Sequence, residues 1–309
     1  MALILDGKIV RDQKKAELTR RVSGWAKNSG AGVKPTLAIV QVGDSAESNT
    51  YIAQKIKFGA EIGVEVRHIR LGSNALGSGL GKITTENVLA EVAKLNADKS
   101  VHGIIVQLPL PIDLDRTRIL AAVDPTKDVD GLSPASTQKL VNAEKGFVPA
   151  TAKGVLSLLK HYDIPVAGKR VTVVGRSGLV GRPIALALLA LDATVTVCHS
   201  KTLDLKSHTK SADIVIVAIG QPEFITAEYL SAGQVVVDVG INLVNQEKNV
   251  KKLEDEVPAT PKIKLVGDVA FAQAEKLVKA ISPVPGGVGP LTVASLFENL
   301  LDAAVIDRP

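Results

Sequence analysis

The sequence predicts an α/β fold, and three observations carry that expectation. Short β-branched runs alternate with helical patterns along the chain, as where Val171, Val173 and Val174 precede the apolar series that begins at Ile184. Aromatic residues are only 3% of the chain against 46% hydrophobic residues, so the core must be mostly Val, Leu, Ile and Ala, the filling of buried parallel strands. At 309 residues the chain suffices for one large or two ordinary domains. Residues 147–151 read as the crossing into a second one.

Composition also excludes functions. A net charge of +5 comes without any long Lys/Arg block, so neither nucleic acid nor an anionic membrane is an expected partner. The charge suits a small polyanionic ligand. No uninterrupted apolar stretch approaches the roughly 18 residues of a membrane span, and the N-terminal apolar run is too short for a signal peptide. Cys198 is the one cysteine, which rules out an internal disulfide and fits a reducing compartment. The expected location is cytoplasmic.

In chain order, residues 9–28 form a Lys/Arg-rich surface helix with Leu18, Val22 and Trp25 at helical spacing. Residues 36–43 are a buried strand. Asp44 and Glu47 then supply an N-cap and its partner for a helix ending near Gly63. On that helix Ser48, Tyr51 and Lys55 share one stripe at i, i+3 and i+7, beside a packing stripe containing Ile52 and Ile56. A tyrosine and a lysine just past a strand's carboxyl end stand where open α/β sheets bind ligands; the same spacing also suits an ordinary solvated face.

Residues 64–71 are a second strand, 72–81 a glycine-rich flexible loop without assigned function, and 86–96 a helix. The strand 101–106 runs into Gln107-Leu-Pro-Leu-Pro111, where two prolines fix the backbone. They present Gln107 either rigidly at a strand end or as a solvated turn residue. His102 is expected to be packed or capped within its strand. Asp128 and Asp130 follow a short helix and, with no His or third acid nearby, are too few for a metal cage. A turn or a contact with a polar substrate is the expectation there, and no metal site is expected.

The second half opens with a helix over 154–162 and the strand 171–174, after which Gly175, Gly178 and Gly181 precede a helix. Such a turn lets backbone N–H groups and a helix N-terminus meet a pyrophosphate, although Ser177 stands where the second Gly of the usual fingerprint would be. An ordinary β–α connection remains the alternative from this turn alone. The next strand, 193–198, ends in His199-Ser-Lys-Thr202, where an NAD site would place a carboxylate on the ribose. None is there, so Arg176 and Ser200, with Lys201, are free to hold a 2′-phosphate, and the reading is NADP. Strands at 212–220, 234–240 and 264–268 continue the dinucleotide unit. The run 282–290, with three prolines and three glycines, is dense enough for a shaped ligand wall, and a terminal helix opens at Thr292.

Five stretches taken together resemble the methylenetetrahydrofolate dehydrogenase/methenyltetrahydrofolate cyclohydrolase family in order and spacing. They are Tyr51-Ile-Ala-Gln-Lys55, Val106-Gln-Leu-Pro-Leu-Pro111, Lys127-Asp-Val-Asp-Gly131, Val174-Gly-Arg-Ser177 with Cys198-His-Ser-Lys-Thr202, and Pro283-Val-Pro-Gly-Gly-Val-Gly-Pro290. The resemblance implies two α/β domains with an interdomain cleft. The first, 1–148 completed by the terminal helix 291–309, would bind folate; the second, 149–290, would be a Rossmann-type NADP domain carrying the cleft loop. It further implies a homodimer and two activities. One oxidises 5,10-methylenetetrahydrofolate with NADP, and the other hydrolyses the methenyl product to 10-formyltetrahydrofolate.

By the same resemblance Lys55 is the key cyclohydrolase residue, with Tyr51 and Gln107 setting its hydrogen bonds and protonation. Asp130 would bind the pterin, flanked by Val106 and Leu108, and Pro285, Gly286, Gly287 and Gly289 would wall the folate. Gly175, Arg176, Ser177, Ser200, Ile241 and Thr292 would contact NADP. The chain departs from the family pattern at Ala150 and Ala152, at Ile219 and at Leu291, none of them a proposed chemical group. Rival readings are another two-domain NADP oxidoreductase, such as a shikimate or amino-acid dehydrogenase, and a silent NADP-binding protein.

Overall fold

A computed structural model describes residues 1–29, 33–72, 83–245 and 263–306. It resolves two compact units, one of Ile9–Gly154 with Leu291–Pro309 and one of Met1–Lys8 with Val155–Pro290. The division places residues 1–8 with the second unit, whereas the sequence reading put them in the first. The reason is a strand too short to show periodicity: β1 (Leu3–Ile4) pairs in parallel with β11 (Ala280–Ile281) at the end of the second unit's sheet.

The first unit is built on three parallel strands. From α1 (Gly7–Ser29) the chain enters β2 (Thr36–Val42), α2 (Ala46–Ile62), β3 (Glu65–Leu71), α3 (Thr85–Ala97) and β4 (Gly103–Val106). Strand order is β3-β2-β4, so the chain leaves β2 to one side and returns past it to the other, and β2/β4 is a topological switch point. Every residue of β2 and β4 is buried, as a strand covered on both faces requires. The short helices α4 (Arg116–Ala121) and α5 (Pro134–Val141) follow. Leu18, Val22 and Trp25 of α1 are buried, and α2 ends on Gly63 in the left-handed conformation at φ 86°.

Two local expectations change. The N-cap of α2 is Ser45, whose side chain accepts from the Ser48 N–H; Asp44 instead accepts from the Asn49 side chain at 2.7 Å. Ile52 is buried but Ile56 is exposed, so the packing stripe is narrower than its spacing suggests. The Glu47 side chain and residues 73–81 of the glycine-rich loop lie outside the described residues.

The first unit is closed by α10 (Gly289–Ile306), which from Leu291 onward belongs to it. Phe297 is fully buried and its ring lies 5.4 Å from that of Phe58; truncating such a core aromatic typically costs about 3–5 kcal/mol. Asn299 Nδ2 donates to the carbonyls of Val129 (2.9 Å) and Val148 (3.0 Å).

In the second unit, entered along α6 (Ala150–His161), come β5 (Arg170–Val174), α7 (Gly181–Leu189), β6 (Thr194–Cys198), α8 (Leu205–Lys210), β7 (Ile214–Val217) and β8 (Val235–Asp238). The sheet order is β1-β11-β8-β7-β5-β6 with all pairings parallel. Its switch point is β5/β7. The strand expected at 264–268 is not in this sheet: β10 (Ile263–Val266) pairs antiparallel with β9 (Asn242–Asn245). The sheet is extended instead by β11, beyond the short helix α9 (Phe271–Ala274), and by β1.

Candidate active site and cofactor turn

At the first unit's switch point, α2 leaves the end of β2 and carries Lys55 toward the residue that follows β4. Lys55 Nζ donates to Gln107 Oε1 at 2.8 Å. The Gln107 amide nitrogen donates to the Leu108 carbonyl at 2.8 Å and its backbone N–H to Val40 at 2.8 Å. Both ends of that amide are therefore occupied, and the acceptor face is turned to the lysine. Gln107 is buried, not solvated. Burial pushes the Lys55 amine below the ordinary lysine range, against a smaller upward pull from Asp130. Asp130 is pushed up by loss of water, while Lys55 pulls it down. The two are electrostatic partners whose burial moves them in opposite directions, toward one another.

Tyr51 lies one helical turn before Lys55 and is half-buried; Ser48, a turn earlier, is buried. Val106 is buried at the end of β4, with Leu108 half-buried beyond Gln107. Asp128 is a turn residue: its carboxylate accepts from the N–H groups of Leu132 and Ser133 and from Ser136 Oγ at 2.6 Å. That clamp fixes the loop bearing Asp130. His102 is packed, accepting from the Thr36 N–H at 3.1 Å and meeting the Trp25 ring edge-on.

At the second unit's switch point the backbone dominates. Gly175 has φ 126°, and a Cβ on it would overlap the carbonyl oxygen of Ala218 at the end of β7; a Cβ on Gly181 would overlap the Gly175 carbonyl. Gly178 has open space around it, so two of the three glycines are required by the turn itself. Ser177 Oγ accepts from the N–H groups of Val180 (3.2 Å) and Gly181 (3.4 Å), serving the start of α7. Arg176 and Ser200 are exposed, and they leave adjacent strands, since Val174 pairs with Cys198. A pyrophosphate cradle with a cation and a hydroxyl at the next strand end is a fit for a phosphorylated dinucleotide.

Ile241 is exposed just before β9, and Thr292 lies in α10, within the other unit. Pro285, Gly286, Gly287 and Gly289 belong to the second unit. There the loop is tied to the N-terminal segment: Gly7 N–H donates to the Gly286 carbonyl at 2.8 Å, and Gly287 N–H to Pro283 at 2.7 Å.

Sequence reasoning missed two buried acids, Asp238 and Asp268. Asp268 accepts from four donors, three on the loop after β7 and one from Asn242 at the start of β9. Asp238 accepts from the N–H groups of Gly240, Asp268 and Val269, and burial holds its carboxyl up at about 7. A signal was present: each ends or follows an apolar run and is itself followed by Val, an unusual place for an acid without partners.

Fold and turn together define a dinucleotide-binding α/β protein with a second, side-chain-built site. Residues 5–130 match the model of the tetrahydrofolate dehydrogenase/cyclohydrolase catalytic domain, and residues 149–308 that of the family's NAD(P)-binding domain. The chain belongs to the tetrahydrofolate dehydrogenase/cyclohydrolase family. It is 43% identical to the bifunctional protein FolD of Agathobacter rectalis, over 98% of this chain and 99% of that one. Against the FolD of Campylobacter concisus it is 45% identical over 97% of each. Among solved structures, the bifunctional FolD of Campylobacter jejuni superposes with TM-score 0.87 at 38% identity, covering 100% of both chains. The Trypanosoma brucei dehydrogenase-cyclohydrolase, solved with NADP and an inhibitor, gives 0.87 at 35% identity over 99% of each.

Proposed function

We propose that the chain is a bifunctional enzyme of one-carbon folate metabolism. It oxidises 5,10-methylenetetrahydrofolate to 5,10-methenyltetrahydrofolate with NADP and hydrolyses that product to 10-formyltetrahydrofolate. The observation that carries the second activity is the part-buried Lys55–Gln107 hydrogen bond with Asp130 as electrostatic partner. Folate is assigned to the first unit and NADP to the turn of the second.

NADP, when bound, accepts the hydride from the one-carbon bridge. Gly175 and Gly181 keep backbone N–H groups open to its pyrophosphate, Ser177 shapes the turn, and Arg176 and Ser200 hold the 2′-phosphate. Ile241 and Thr292 contact the cofactor, while Pro285, Gly286, Gly287 and Gly289 wall the folate. Asp130 accepts hydrogen bonds from the pterin, between Val106 and Leu108. Lys55 works neutral, because an ammonium would repel the methenyl cation. As water adds to the methenyl carbon, one of its protons passes to Lys55 Nζ. Lys55 then returns that proton to the departing ring nitrogen as the carbon–nitrogen bond breaks, the carbinol oxygen forms the formyl C=O and its remaining proton is released to solvent. Gln107 orients the amine, and Tyr51, one turn away, assists the transfer.

The test follows methenyltetrahydrofolate and NADPH by absorbance during turnover of methylenetetrahydrofolate, with NADP and NAD in parallel. Wild type should reduce NADP and clear the methenyl product, whereas Lys55→Met should accumulate it. Accumulation by wild type would remove the cyclohydrolase assignment, and no folate reaction at all would remove the function.

The active form is a homodimer, with the β6 edge of the sheet as its contact. Val197 on that edge strand is exposed, as are Leu189, Leu191 and Leu203 around it, apolar surface that a bare edge strand does not usually leave uncovered. A monomer mass by sedimentation would overturn this. The cytoplasm is the assigned compartment, consistent with the unpaired, buried Cys198. Among the described residues, no helix is long and apolar enough to cross a membrane.

A further inference from the structure

Asp268 takes no part in the chemistry above, yet its surroundings are more completely built than those of any group in the cofactor turn. It is fully buried. Oδ2 accepts from the N–H groups of Ile219 (2.7 Å) and Gly220 (2.9 Å), and Oδ1 from that of Gln221 (2.8 Å) and from Asn242 Nδ2 (2.9 Å). A carboxylate has about four acceptor positions, so none is left over. The loops it joins leave the carboxyl ends of β7 and β8. Gly240, between β8 and Asn242, has no room for a Cβ against the Asp268 carboxylate. Asp268 is itself held from behind, its N–H and that of Val269 donating to Asp238 at 3.1 and 2.9 Å.

These loops sit on one side of the switch point, and the phosphate-recognising residues on the other. Arg176 and Ser200 stand at the ends of β5 and β6 and would take the adenosine half of the cofactor. A dinucleotide laid across β5 must then extend its nicotinamide half over β7 and β8, where Asp268 fixes the backbone. We propose that Asp268 is a positioning residue for the nicotinamide half of NADP, clamping the 219–221 and 240–242 loops into one rigid surface. The proposal rests on the assignment of NADP to the Gly175 turn.

The two activities supply the control. Asp268→Asn replaces one acceptor oxygen by a donor, which faces two donors with a third and leaves buried N–H groups unpaired. NADPH affinity, read by cofactor fluorescence, should weaken by about tenfold or more, and kcat/KM for NADP should fall by a similar factor. Hydrolysis of preformed methenyltetrahydrofolate, which needs no NADP, should stay within about twofold. Asn242→Ala removes one donor only and should weaken NADPH by roughly threefold. Should Asp268→Asn fail to fold, losing hydrolysis too, Asn242→Ala decides alone.

A merely structural Asp268 would lower the melting temperature and leave NADPH affinity and KM at 25 °C unchanged; that result overturns the proposal. Gly175→Ala separates the two readings. If it abolishes NADPH binding while both clamp variants bind normally, the clamp is wrong and the cofactor site stands. If it leaves NADPH binding intact, the cofactor site is misplaced and the clamp falls with it.

Discussion

The two switch points of this chain solve the same topological problem with opposite materials. Both lie at the carboxyl end of a central strand past which the chain doubles back, β2 in one unit and β5 in the other. At the first, the groups offered are side chains: an amine, an amide and a carboxyl from α2, the residue after β4 and the Asp128-clamped loop. At the second they are chiefly main chain, with Gly175 and Gly181 stripped of any Cβ that would close the turn. A site that must move a proton needs a titratable group whose environment tunes it. A site that must hold a pyrophosphate needs N–H groups and space. The reaction each unit serves is thus written in whether side chains were added or removed.

That contrast predicts which substitutions separate the activities. The largest effect should come from Lys55→Arg, which keeps a cation but cannot present a neutral base at accessible pH. The cyclohydrolase rate should fall by about 10²–10⁴-fold with the dehydrogenase retained, as measured by separate assays of the two steps. Equal loss of both would mean that Lys55 serves binding rather than proton transfer. Gly181→Ala should do the reverse. The added Cβ overlaps the Gly175 carbonyl, so NADP-dependent oxidation should drop with hydrolysis of preformed methenyl substrate intact. The melting temperature should also fall by the equivalent of about 1–3 kcal/mol, the usual cost of overpacking. A variant that oxidises normally would show the turn to be wider than its glycines imply.

A smaller effect concerns pH. Lys55 is lowered by burial and partly restored by Asp130, and in the proposed mechanism it acts only when neutral. Hydrolysis should therefore rise with pH to a plateau reached earlier than an ordinary lysine would allow. Asp130→Asn removes the contribution that raises the amine, so the rising limb should move to lower pH among those variant molecules that still bind folate. A limb that moves to higher pH, or not at all, would show that the carboxyl does not act on Lys55.

Much of this was legible in the sequence where order is local. The 171–190 strand, turn and helix, the β2–α2 succession and the missing carboxylate at the end of β6 could all be read from spacing. What spacing could not show was how distant pieces meet. Lys55 and Gln107 are 52 residues apart, and nothing in either segment names the other; the family resemblance joined them. Two-residue strands such as β1 and β11 have no period to detect, so the edge of the larger sheet was invisible. Ser45 displaced Asp44 as the cap of α2 because both residue types suit the position, and backbone geometry chose between neighbours. Asp268 read as the end of a strand because its partners come from loops more than 20 residues away in sequence.

Asn299, finally, ties the carbonyl of Val129, the residue before Asp130, to a helix made after every strand of either sheet. As the chain emerges from a ribosome, β2, α2, β3 and β4 are all available long before α10. Their core still lacks Phe297 and Leu300, and the loop bearing Asp130, already clamped through Asp128, lacks its tie to Asn299. Synthesis runs N-terminal first, but here the unit built on β2, β3 and β4 cannot be finished until the dinucleotide unit has been translated in full. The nascent enzyme would thus acquire the means to bind its cofactor before it acquires a working folate site.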